Sequence, residues 1–435
     1  MQFCSTRNTK DTVSFSQAIL DCLPADGGMY VPAYAEDLRP WINYMNENTS
    51  FQSIAGALTS ALMQEEFSPL ISEAIATRSF PFSPKLKQLD KNLYKLELFH
   101  GPTGIHKDFG LSYLTNCMEH ILLYQEKTAV VLAPTNGETG SSIAHAFRDK
   151  KHIKAVLFYE PGSMRGVKES DCVWNGGNVY PVEMDAPPSQ IQALLRDVYR
   201  DKHLMDQYNL TLANTINIGR LLPHSFLYMY AFSRIKKQVW GDICYALNAD
   251  NYGNMVAGLY SWKFSLPVNG FITNSSPSLG LAPDGNCSIL DSMVPLSRRG
   301  PSDPVNPSNI ERLEEIFTAN PSVMNGLVFP TDISEFDAQE GCKELLKKYG
   351  ELVDPSTARA YAAAKKHISL VGEGGSTVVL VAADHPALYN QQIQQWCGES
   401  SKLPERIKDI YVPIKPYKKI TPDRDSIERI LEELD

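Results

Sequence analysis

Short apolar segments alternate with helical patterns along most of this chain. TAVVLAP at 128–134, IKAVLFY at 153–159 and STVVLVA at 376–382 are rich in β-branched residues and are bounded by polar or glycine-containing stretches, as buried strands are. SSIAHAFRD at 141–149 has helical spacing and separates the first two of these segments. A strand, a helix and a second strand in this order form a parallel pair with a crossover, so the pattern predicts an α/β fold with mostly parallel sheets.

The same alternation continues along the rest of the chain. NVYPVEM at 178–184 precedes the amphipathic PSQIQALLRDVYRD at 188–201, and ICYAL at 243–247 predicts a further strand. The stretch 274–309 is rich in Ser, Pro, Gly and Asp, which predicts a long loop or insertion. DSIERILEELD at 425–435 places its apolar residues on one helical face and predicts a final packed helix.

A lysine follows one of the predicted strands. Leu93 to Phe99 alternates apolar and polar residues, and Lys107 comes after the turn HGPTGIH. Helical spacing of apolar residues begins at Leu111. Because α/β folds place their chemistry beyond strand ends, Lys107 is a candidate catalytic residue, although spacing alone favours an exposed lysine in the first turn of a helix.

Composition and charge describe a protein with an ordinary core. The chain has 435 residues, of which 43% are hydrophobic and 21% charged, and this length predicts two or three domains. The formal net charge of −9 and the scattered basic residues give no electrostatic basis for binding nucleic acid or an acidic membrane. We therefore expect neither kind of partner.

The eight cysteines are spread along the chain. None is close enough to another for a CxxC metal or redox motif, so the sequence predicts isolated reduced thiols, no metal site and a cytoplasmic location. The first residues lack a basic start followed by an apolar stretch, and no apolar segment has membrane-spanning length. These features predict neither a conventional secretory signal nor a membrane span.

Three polar loops lie near the predicted strands. TNGETGSS at 135–142 separates a strand from a helix, NADNYGNM at 248–255 follows ICYAL, and ANTINIGRLLPHSF at 213–226 carries Asn, Thr and Arg residues close together. Backbone N–H groups in such loops and arginine side chains bind phosphate or carboxylate groups. Each loop alone is equally explained by a tight turn or a capped helix. Together with a lysine at a strand end, they suit a pyridoxal-phosphate enzyme with a phosphorylated or carboxylated substrate.

The sequence resembles the threonine synthases of the shorter-chain type, which are fold-type II pyridoxal-phosphate enzymes. The resemblance extends over nearly the whole chain, and several motifs in the family's order are far more specific than any one of them. The motifs are STR at 5–7, DGGMYVP at 26–32, FHGPTGIHKDFG at 99–110, PTNGETGS at 134–141, ANTINIGRLLP at 213–223, NYGN at 251–254, NPSNIER at 306–312, DPSTA at 354–358 and HPA at 385–387.

The resemblance implies an α/β fold of the fold-type II kind, similar to the β subunit of tryptophan synthase. Two α/β domains would surround a cofactor cleft, preceded by a small N-terminal segment. We expect this segment at 1–85 and the catalytic region at 86–435, with the smaller α/β domain at about 110–230. Neither the net charge nor any apolar stretch indicates an oligomeric state.

The resemblance also implies roles for individual residues. Lys107 stands where the family's lysine binds pyridoxal 5′-phosphate covalently and then serves as acid and base. The implied cofactor-binding positions are Lys107, Asn251, Tyr252, Gly253, Asn254 and Ala383, and the implied substrate-binding positions are Asn136, Thr139, Asn214, Thr215 and Arg220. The implied activity is that of a carbon–oxygen lyase that converts O-phospho-L-homoserine and water to L-threonine and phosphate. Its partner would be a small phosphorylated amino acid.

Four positions depart from the family pattern. Asp250 stands where the phosphate-binding loop usually has glycine, and a carboxylate beside a phosphate is repulsive unless its side chain turns away. Ala383 replaces a threonine that contacts the pyridine nitrogen. Asp384 is an alternative partner for this nitrogen, although adjacent strand residues point to opposite faces. Asn136 stands where the substrate loop has serine. His106 replaces an aromatic residue and is either a packed ring or a new acid or base.

The departures leave three hypotheses open. The protein is a threonine synthase, a related pyridoxal-phosphate lyase or replacement enzyme with a different amino-acid substrate, or a catalytically silent paralogue. Lys107, Thr139 and Arg220 are retained, which argues against the silent paralogue because a scaffold needs none of them. Arg220 with Asn214 and Thr215 favours a phosphorylated substrate and therefore the first hypothesis.

Overall fold

Helices and strands alternate along the residues that the computed structural model describes, which are 1–135, 138–289, 294–371 and 375–434. The helices are α1 Phe15–Asp21, α2 Arg39–Tyr44, α3 Phe51–Leu62, α4 Pro69–Ser79, α5 Lys107–Gln125, α6 Glu138–Phe147, α7 Pro188–Arg200, α8 Lys202–Gln207, α9 Ile218–Leu221, α10 His224–Ile235, α11 Gly253–Lys263, α12 Ile310–Phe317, α13 Pro321–Asn325, α14 Glu335–Tyr349, α15 Pro355–Val371, α16 Asn390–Cys397 and α17 Arg424–Glu432. The strands are β1 Phe3–Ser5, β2 Thr12–Val13, β3 Tyr30–Pro32, β4 Lys85–Asp90, β5 Leu93–Glu97, β6 Ala129–Pro134, β7 Ile153–Tyr159, β8 Val179–Met184, β9 Leu210–Thr211, β10 Ile243–Leu247, β11 Gly270–Asn274, β12 Leu279–Leu281, β13 Cys287–Ile289, β14 Val328–Thr331, β15 Thr377–Ala382 and β16 Lys418–Ile420.

Strands from distant parts of the chain form a six-stranded sheet. Its order is β14-β11-β10-β15-β5-β4, and every neighbouring pair is parallel except β4 with β5. The central strands β10 and β15 are buried at every position, which explains their continuous apolar sequences. The predicted α/β fold with mostly parallel sheets is confirmed.

A second sheet of five strands is parallel throughout. Its order is β16-β8-β7-β6-β9, and α6 joins β6 to β7 as the crossover that the sequence predicts. Helix α5 leads from β5 in the first sheet to β6 in the second. The segment that carries Lys107 therefore connects the two sheets.

The N-terminal residues form a small antiparallel sheet in the order β2-β1-β3, followed by short helices. Helix α3 begins after Ser50 and α4 after Ser68, because each serine side chain accepts a hydrogen bond from an N–H of the first turn. Helix α4 packs against both α3 and α5. The boundaries at 1–85, 86–435 and about 110–230 stay predictions.

Aromatic rings join the N-terminal helices to α5. The ring centroid of Phe51 lies 4.9 Å from that of Phe80 and 5.5 Å from that of Phe109, and Phe82 lies 4.9 Å from Phe109. Edge-to-face pairs of this kind contribute about 0.5–1.5 kcal/mol each beyond the area they bury. These contacts fix α5, and with it Lys107, against the N-terminal part of the chain.

None of the described helices has both the length and the apolar character that a membrane span requires.

The structure adds detail to one expectation about less regular features and corrects another. The stretch 274–309, expected to be a long loop or insertion, contains the antiparallel hairpin of β12 and β13. All eight cysteines carry free thiols, but two are not isolated, since the Sγ atoms of Cys342 and Cys397 lie 3.1 Å apart. These two residues meet because α14 packs against α16, and no local motif indicates that contact.

Gly110 allows α5 to lie close to the segment that includes α9 and the start of α10. A Cβ atom added at Gly110 would lie 2.5 Å from the carbonyl oxygen of Arg220 and 2.7 Å from Nε2 of His224. We predict that Gly110→Ala destabilises the protein, because overpacking costs about 1–3 kcal/mol and the gain in helix propensity is at most about 1 kcal/mol. The midpoint of urea unfolding measures the effect. Gly280→Ala is the matched control, since no heavy atom of the described residues, apart from its chain neighbours, lies within 4 Å of its added Cβ. Equal midpoints for the two variants would contradict the prediction.

Candidate active site

A cavity of about 400 Å³ lies between the two sheets. Its walls include segments that follow β5, β6, β9, β10 and β15, at the carboxyl ends of parallel strands. Ligand sites of α/β proteins occur at such ends. The polar residues that line it include His106, Lys107, Thr139, Asn214, Thr215, Arg220, His224, Asn248, Asp250, Asn251, Asn254, Asn306, Ser356, Asp384 and Tyr389, together with Gly253.

The amine of Lys107 reaches the cavity from the first residue of α5. Its Nζ donates a hydrogen bond to Oγ1 of Thr139 at 3.2 Å. The turn before the helix is held by Asp108, whose buried carboxylate accepts hydrogen bonds from the N–H and hydroxyl of Thr103 and from the hydroxyl of Ser142, at 2.6–2.9 Å. Burial raises the pKa of Asp108, although these hydrogen bonds favour the charged form. Asp108 thereby fixes the loop and the first turn of α5 together.

The loop between β10 and α11 forms a second wall of the cavity. Asp250 and Tyr252 have left-handed backbones, with φ of 39° and 64°. This conformation costs a residue other than glycine about 1 kcal/mol and is best tolerated by Asn and Asp, which explains why an aspartate can occupy a position where glycine is usual. The Asp250 carboxylate accepts a hydrogen bond from the Asn248 amide. Gly253 and Asn254 line the cavity at the N-terminus of α11, a position that favours an anion.

Asn214, Thr215 and Arg220, which the resemblance assigns to substrate, line the same cavity. Oγ1 of Thr215 accepts hydrogen bonds from the side-chain amides of Asn251 at 3.1 Å and Asn309 at 3.0 Å, so this loop is tied to the loop before α11. The Arg220 side chain is buried and donates to one backbone carbonyl at 2.6 Å, while its Nε has no partner among the described residues. Burial lowers the pKa of Arg220 to about 10, which leaves the guanidinium charged at neutral pH.

Arg312 supports the same loop, and the sequence analysis assigned it no role. Its fully buried guanidinium donates to the carbonyl oxygens of Tyr30, Thr215 and Ile216 and to Oδ1 of Asn309, at distances of 2.5–3.0 Å. Burial lowers the pKa of Arg312 to about 10, so the group remains charged at neutral pH. The only sequence signal was its place in the motif NPSNIER, which does not reveal its partners.

A histidine and an aspartate form a pair next to Lys107. His106 Nδ1 lies 3.1 Å from Asp384 Oδ1, and the hydroxyl of Tyr389 donates to Asp384 Oδ2 at 2.8 Å. Burial alone would raise the pKa of Asp384, but the hydrogen bond and charge of His106 and the charge of Lys107 lower it below its usual value. Asp384 lines the same cavity as Lys107. Strand β15 ends at Ala382, so the alternation of strand side chains does not extend to Asp384.

His224 is a further cavity residue that the sequence analysis did not single out. Its buried ring places Nδ1 3.2 Å from Oδ1 of Asn254, and its centroid is 5.7 Å from that of His106. Burial lowers the pKa of His224 to about 3, so the ring is neutral at neutral pH. Because the amide oxygen accepts from Nδ1, Nε2 is left as an acceptor, and it has no partner within the described ranges.

The structure does not place three of the expected site residues at the cavity. Ala383 and Tyr252 are buried, and neither is among the described residues that line it. The Tyr252 hydroxyl instead lies 2.5 Å from the hydroxyl of Ser276. Asn136 lies outside the described residues. The contacts assigned to these three residues stay predictions.

The cavity brings together groups that suit an anionic ligand with a reactive carbonyl group. They are the amine of Lys107, the N-terminus of α11 at Gly253 and the unpartnered Nε of Arg220. An amine reacts with carbonyl compounds, and the other two groups bind phosphate or carboxylate. The carboxylates of Asp250 and Asp384 border the same space and give it an acidic side.

The pair of His106 and Asp384 should show energetic coupling. His106→Phe removes one hydrogen-bond partner from a largely buried carboxylate, so it should cost more stability than the same change made in an Asp384→Ala background. We expect a coupling energy of about 1–3 kcal/mol from denaturant unfolding of the four proteins in the double-mutant cycle. Lys237 and Glu47, 3.1 Å apart and largely exposed, form the control pair, whose coupling should stay below about 1 kcal/mol. Equal coupling for the two pairs would refute this prediction.

Asp354 should make stability depend on pH. It is buried just before α15 and accepts the Thr357 N–H at 3.1 Å, and burial together with the charge of Asp384 raises its pKa to about 7. The pKa of an aspartate in the unfolded chain is about 3.9, so the folded state binds the proton of Asp354 more tightly than the unfolded state does. The stabilisation that this proton gives is lost as pH rises from about 4 to about 7. Asp354→Asn should therefore be more stable than the unchanged protein at pH 8, by on the order of 1–3 kcal/mol, with a difference that shrinks towards pH 4. Unfolding midpoints across this range measure it, and a difference independent of pH would exclude Asp354 as the cause.

Comparisons with known proteins agree with this geometry. Residues 2–80 match the family model described as threonine synthase N terminus. The chain is 28% identical to the threonine synthase of Escherichia coli over 415 residues and 27% identical to that of Haemophilus influenzae over 412 residues, and both alignments cover 94% of each chain. The crystal structure of the Escherichia coli enzyme matches with a TM-score of 0.79 at 24% identity over 100% of both chains, and that of PLP-bound threonine synthase from Brucella melitensis with 0.84 at 21% identity over 100% of this chain and 99% of that chain. By sequence along nearly its whole length and by its fold-type II fold, this chain is similar to the threonine synthases.

Proposed function

We propose that the protein is a pyridoxal-phosphate-dependent threonine synthase. Such a lyase converts O-phospho-L-homoserine and water to L-threonine and phosphate in threonine biosynthesis. The observation that carries the proposal is the position of Lys107. Its amine reaches the cavity from the start of α5, in a chain that is similar to threonine synthases over 94% of its length.

The residues around Lys107 fit pyridoxal phosphate. Lys107 would provide the primary amine that binds the aldehyde group, and the N-terminus of α11 at Asn254 would provide a backbone N–H group for the phosphate. When bound, the cofactor supplies an electron sink that stabilises negative charge beside the amino group of the substrate. Asn251 Oδ1 accepts the Gly253 N–H at 3.1 Å and so holds the loop that would contact the phosphate.

Lys107 is also the group to which we assign proton transfer. An amine is a general acid and base only where its environment lets it both lose and regain a proton. Thr139 accepts a hydrogen bond from Nζ and orients it, while the carboxylates of Asp250 and Asp384 interact electrostatically with the amine. Together these groups hold Nζ in place in both protonation states.

We assign the phosphate of the substrate to Arg220, with Asn214, Thr215, Thr139 and Asn136 as hydrogen-bonding groups. The unpartnered Nε of Arg220 supports the assignment, because a buried charged donor without an acceptor is costly and a ligand oxygen would satisfy it. The bonds from Asn251 and Asn309 that fix Thr215 support it further, since they prepare the loop before a ligand binds.

One observation favours a second candidate, a related lyase or replacement enzyme with a different amino-acid substrate. The carboxylates of Asp250 and Asp384 border the cavity in which a phosphorylated cofactor and a phosphorylated substrate would both lie. Like charges about 6 Å apart repel by roughly 3 kcal/mol at an effective dielectric constant of 20. The hydrogen bonds that Asp250 and Asp384 accept from Asn248 and Tyr389 reduce this cost, which is why the threonine synthase reaction remains our first assignment.

We further propose that the protein works in the cytoplasm. The free thiols at all eight cysteines support this location, because disulfides are rare in the reducing cytoplasm. The partner that we assign is the small phosphorylated amino acid.

The reaction is tested by incubating the purified protein with pyridoxal phosphate and O-phospho-L-homoserine. We expect phosphate and L-threonine in equal amounts. Phosphate release with a keto acid in place of threonine would contradict threonine synthesis and indicate another lyase reaction on the same substrate. Neither product, from a protein that binds the cofactor, would contradict the first assignment and favour the second candidate, whose substrate is a different amino acid.

Lys107 should be the residue that carries the cofactor. Borohydride reduction of the cofactor-loaded protein, followed by peptide mapping, should find the pyridoxyl group on Lys107, because reduction fixes the bond between the amine and the aldehyde. Lys107→Arg keeps the positive charge but cannot form this bond, so it should give no adduct. Lys150→Arg is the matched control and should carry the pyridoxyl group on Lys107, as the unchanged protein does. An adduct on any other lysine would disprove the assignment.

Arg220 should contribute mainly to the use of the phosphorylated substrate. Arg220→Ala should lower kcat/KM for O-phospho-L-homoserine by about ten- to a hundredfold, since a charge-assisted hydrogen bond is worth roughly 1.5–3 kcal/mol. Cofactor absorbance should be unchanged. Arg220→Lys keeps the charge and should recover part of the loss. Full activity in the alanine variant would show that Arg220 has only a structural role.

A further inference from the structure

A second cavity, of about 500 Å³, lies on another face of α5. Asp108, Ser112 and Asn116 line it, and their spacing of four residues places them along one face of the helix, rotated from the direction of Lys107. The other walls come from the end of α4, the loop after β5, the end of α6 and the segment around residue 406. We call this cavity the basic pocket, after its lining residues Arg78, His100, His145, Arg148, Lys150 and Arg406.

Three of these six side chains add no net positive charge to the basic pocket. Arg148 forms a bidentate ion pair with Asp171, with N–O distances of 2.7 and 2.8 Å. His100 Nε2 lies 2.7 Å from a carboxylate oxygen of Glu97. Burial lowers the pKa of His145 to about 4, so this ring is neutral at neutral pH. The positive charge of the pocket therefore comes from the other three residues.

Arg78, Lys150 and Arg406 form no ion pair with a carboxylate in the part of the chain that the structure describes. Lys150 Nζ donates to the side-chain oxygen of Asn116 at 2.9 Å, and Arg406 donates to the backbone carbonyls of Phe99 and Gly101, at 2.7 and 3.3 Å. Neutral acceptors satisfy hydrogen bonds but do not cancel charge. The pocket thus holds three cations without a carboxylate of the described residues at ion-pair distance.

Two carboxylates of the lining, Asp108 and Asp149, offset part of these charges. The carboxylate of Asp108 already accepts three hydrogen bonds from Thr103 and Ser142, and Asp149 is exposed. Glu119, which acts on Lys150 from α5, lies 3.1 Å from His152 Nδ1. Burial lowers the pKa of Lys150, the charge of Glu119 acts in the opposite direction, and the charge of Arg78 lowers it further.

We propose that the basic pocket is a second ligand site, which binds a small organic anion carrying two or more phosphate or carboxylate groups. Guanidinium and ammonium groups from separate segments recognise such an anion through charge-assisted hydrogen bonds. Its volume lies within the range of about 300–1,000 Å³ that small-molecule sites have. The site is distinct from the cavity that contains Lys107, and its existence does not depend on the proposed reaction.

The cofactor-loaded protein is titrated by calorimetry with pyrophosphate and, separately, with citrate, in phosphate-free buffer at constant ionic strength. Lys150→Gln and Arg78→Gln each remove one charge from the basic pocket, and Lys347→Gln removes one from an exposed position at the end of α14. Arg220→Gln removes the anion-binding group of the other cavity. Unchanged melting temperatures show that the variants fold, and Arg78→Gln alone carries the test if Lys150→Gln does not fold.

We expect one equivalent of at least one anion to bind to the unchanged protein and to the Lys347→Gln and Arg220→Gln variants. Each change in the basic pocket should weaken binding by about tenfold, and the double change by about a hundredfold. The anion that binds more tightly, pyrophosphate or citrate, identifies phosphate or carboxylate as the preferred group. No saturable binding, equal weakening in Lys347→Gln, or binding that depends on Arg220 and not on Lys150 and Arg78, would each overturn the proposal.

Discussion

The buried guanidinium of Arg312 is the interaction on which the geometry of the cavity depends most. Moving a charged group from water into the interior is costly, and the cost is offset only when its donors find acceptors of good geometry. Arg312 finds them on three separate segments, at Tyr30 of the N-terminal sheet, at Thr215 and Ile216 of the substrate-side loop, and at Asn309 of its own segment. These segments cannot move independently without leaving a buried charge unpaired.

From this fixed point a chain of amide side chains extends to the cofactor side of the cavity. Asn309 donates to Thr215 and to the backbone carbonyl of Asn251, and Asn251 in turn accepts the N–H of Gly253 at the start of α11. The groups that we assign to cofactor phosphate and to substrate phosphate therefore belong to one hydrogen-bonded network. A preformed network of this kind reduces the ordering that a ligand must otherwise impose.

Helix α5 is the second element that organises the molecule. It connects the two sheets, packs through Phe109 against the N-terminal aromatic residues, and presents Lys107 to one cavity and Asp108 to the other. Asp108 accepts hydrogen bonds from Thr103 in the loop before α5 and from Ser142 of α6. A structural change at either cavity therefore acts on the same first turn of α5. Charge is divided unequally between the two sides of α5. Asp250 and Asp384 lie beside Lys107, whereas the basic pocket has Arg78, Lys150 and Arg406, which form no ion pair within the described residues.

The amino-acid sequence by itself determined the elements and the position of the lysine. Apolar segments such as 128–134 and 376–382 became β6 and β15 to within a residue, because burial on both faces of a parallel strand leaves a continuous apolar pattern. The loops at strand ends likewise predicted the cavity that contains Lys107, Thr139 and Arg220. Only the tertiary structure decided which distant side chains meet, as with His106 and Asp384, Cys342 and Cys397, or Arg312 and its three segments. Periodicity records whether a residue is buried and on which face, whereas a contact between residues far apart in the chain depends on how the elements pack.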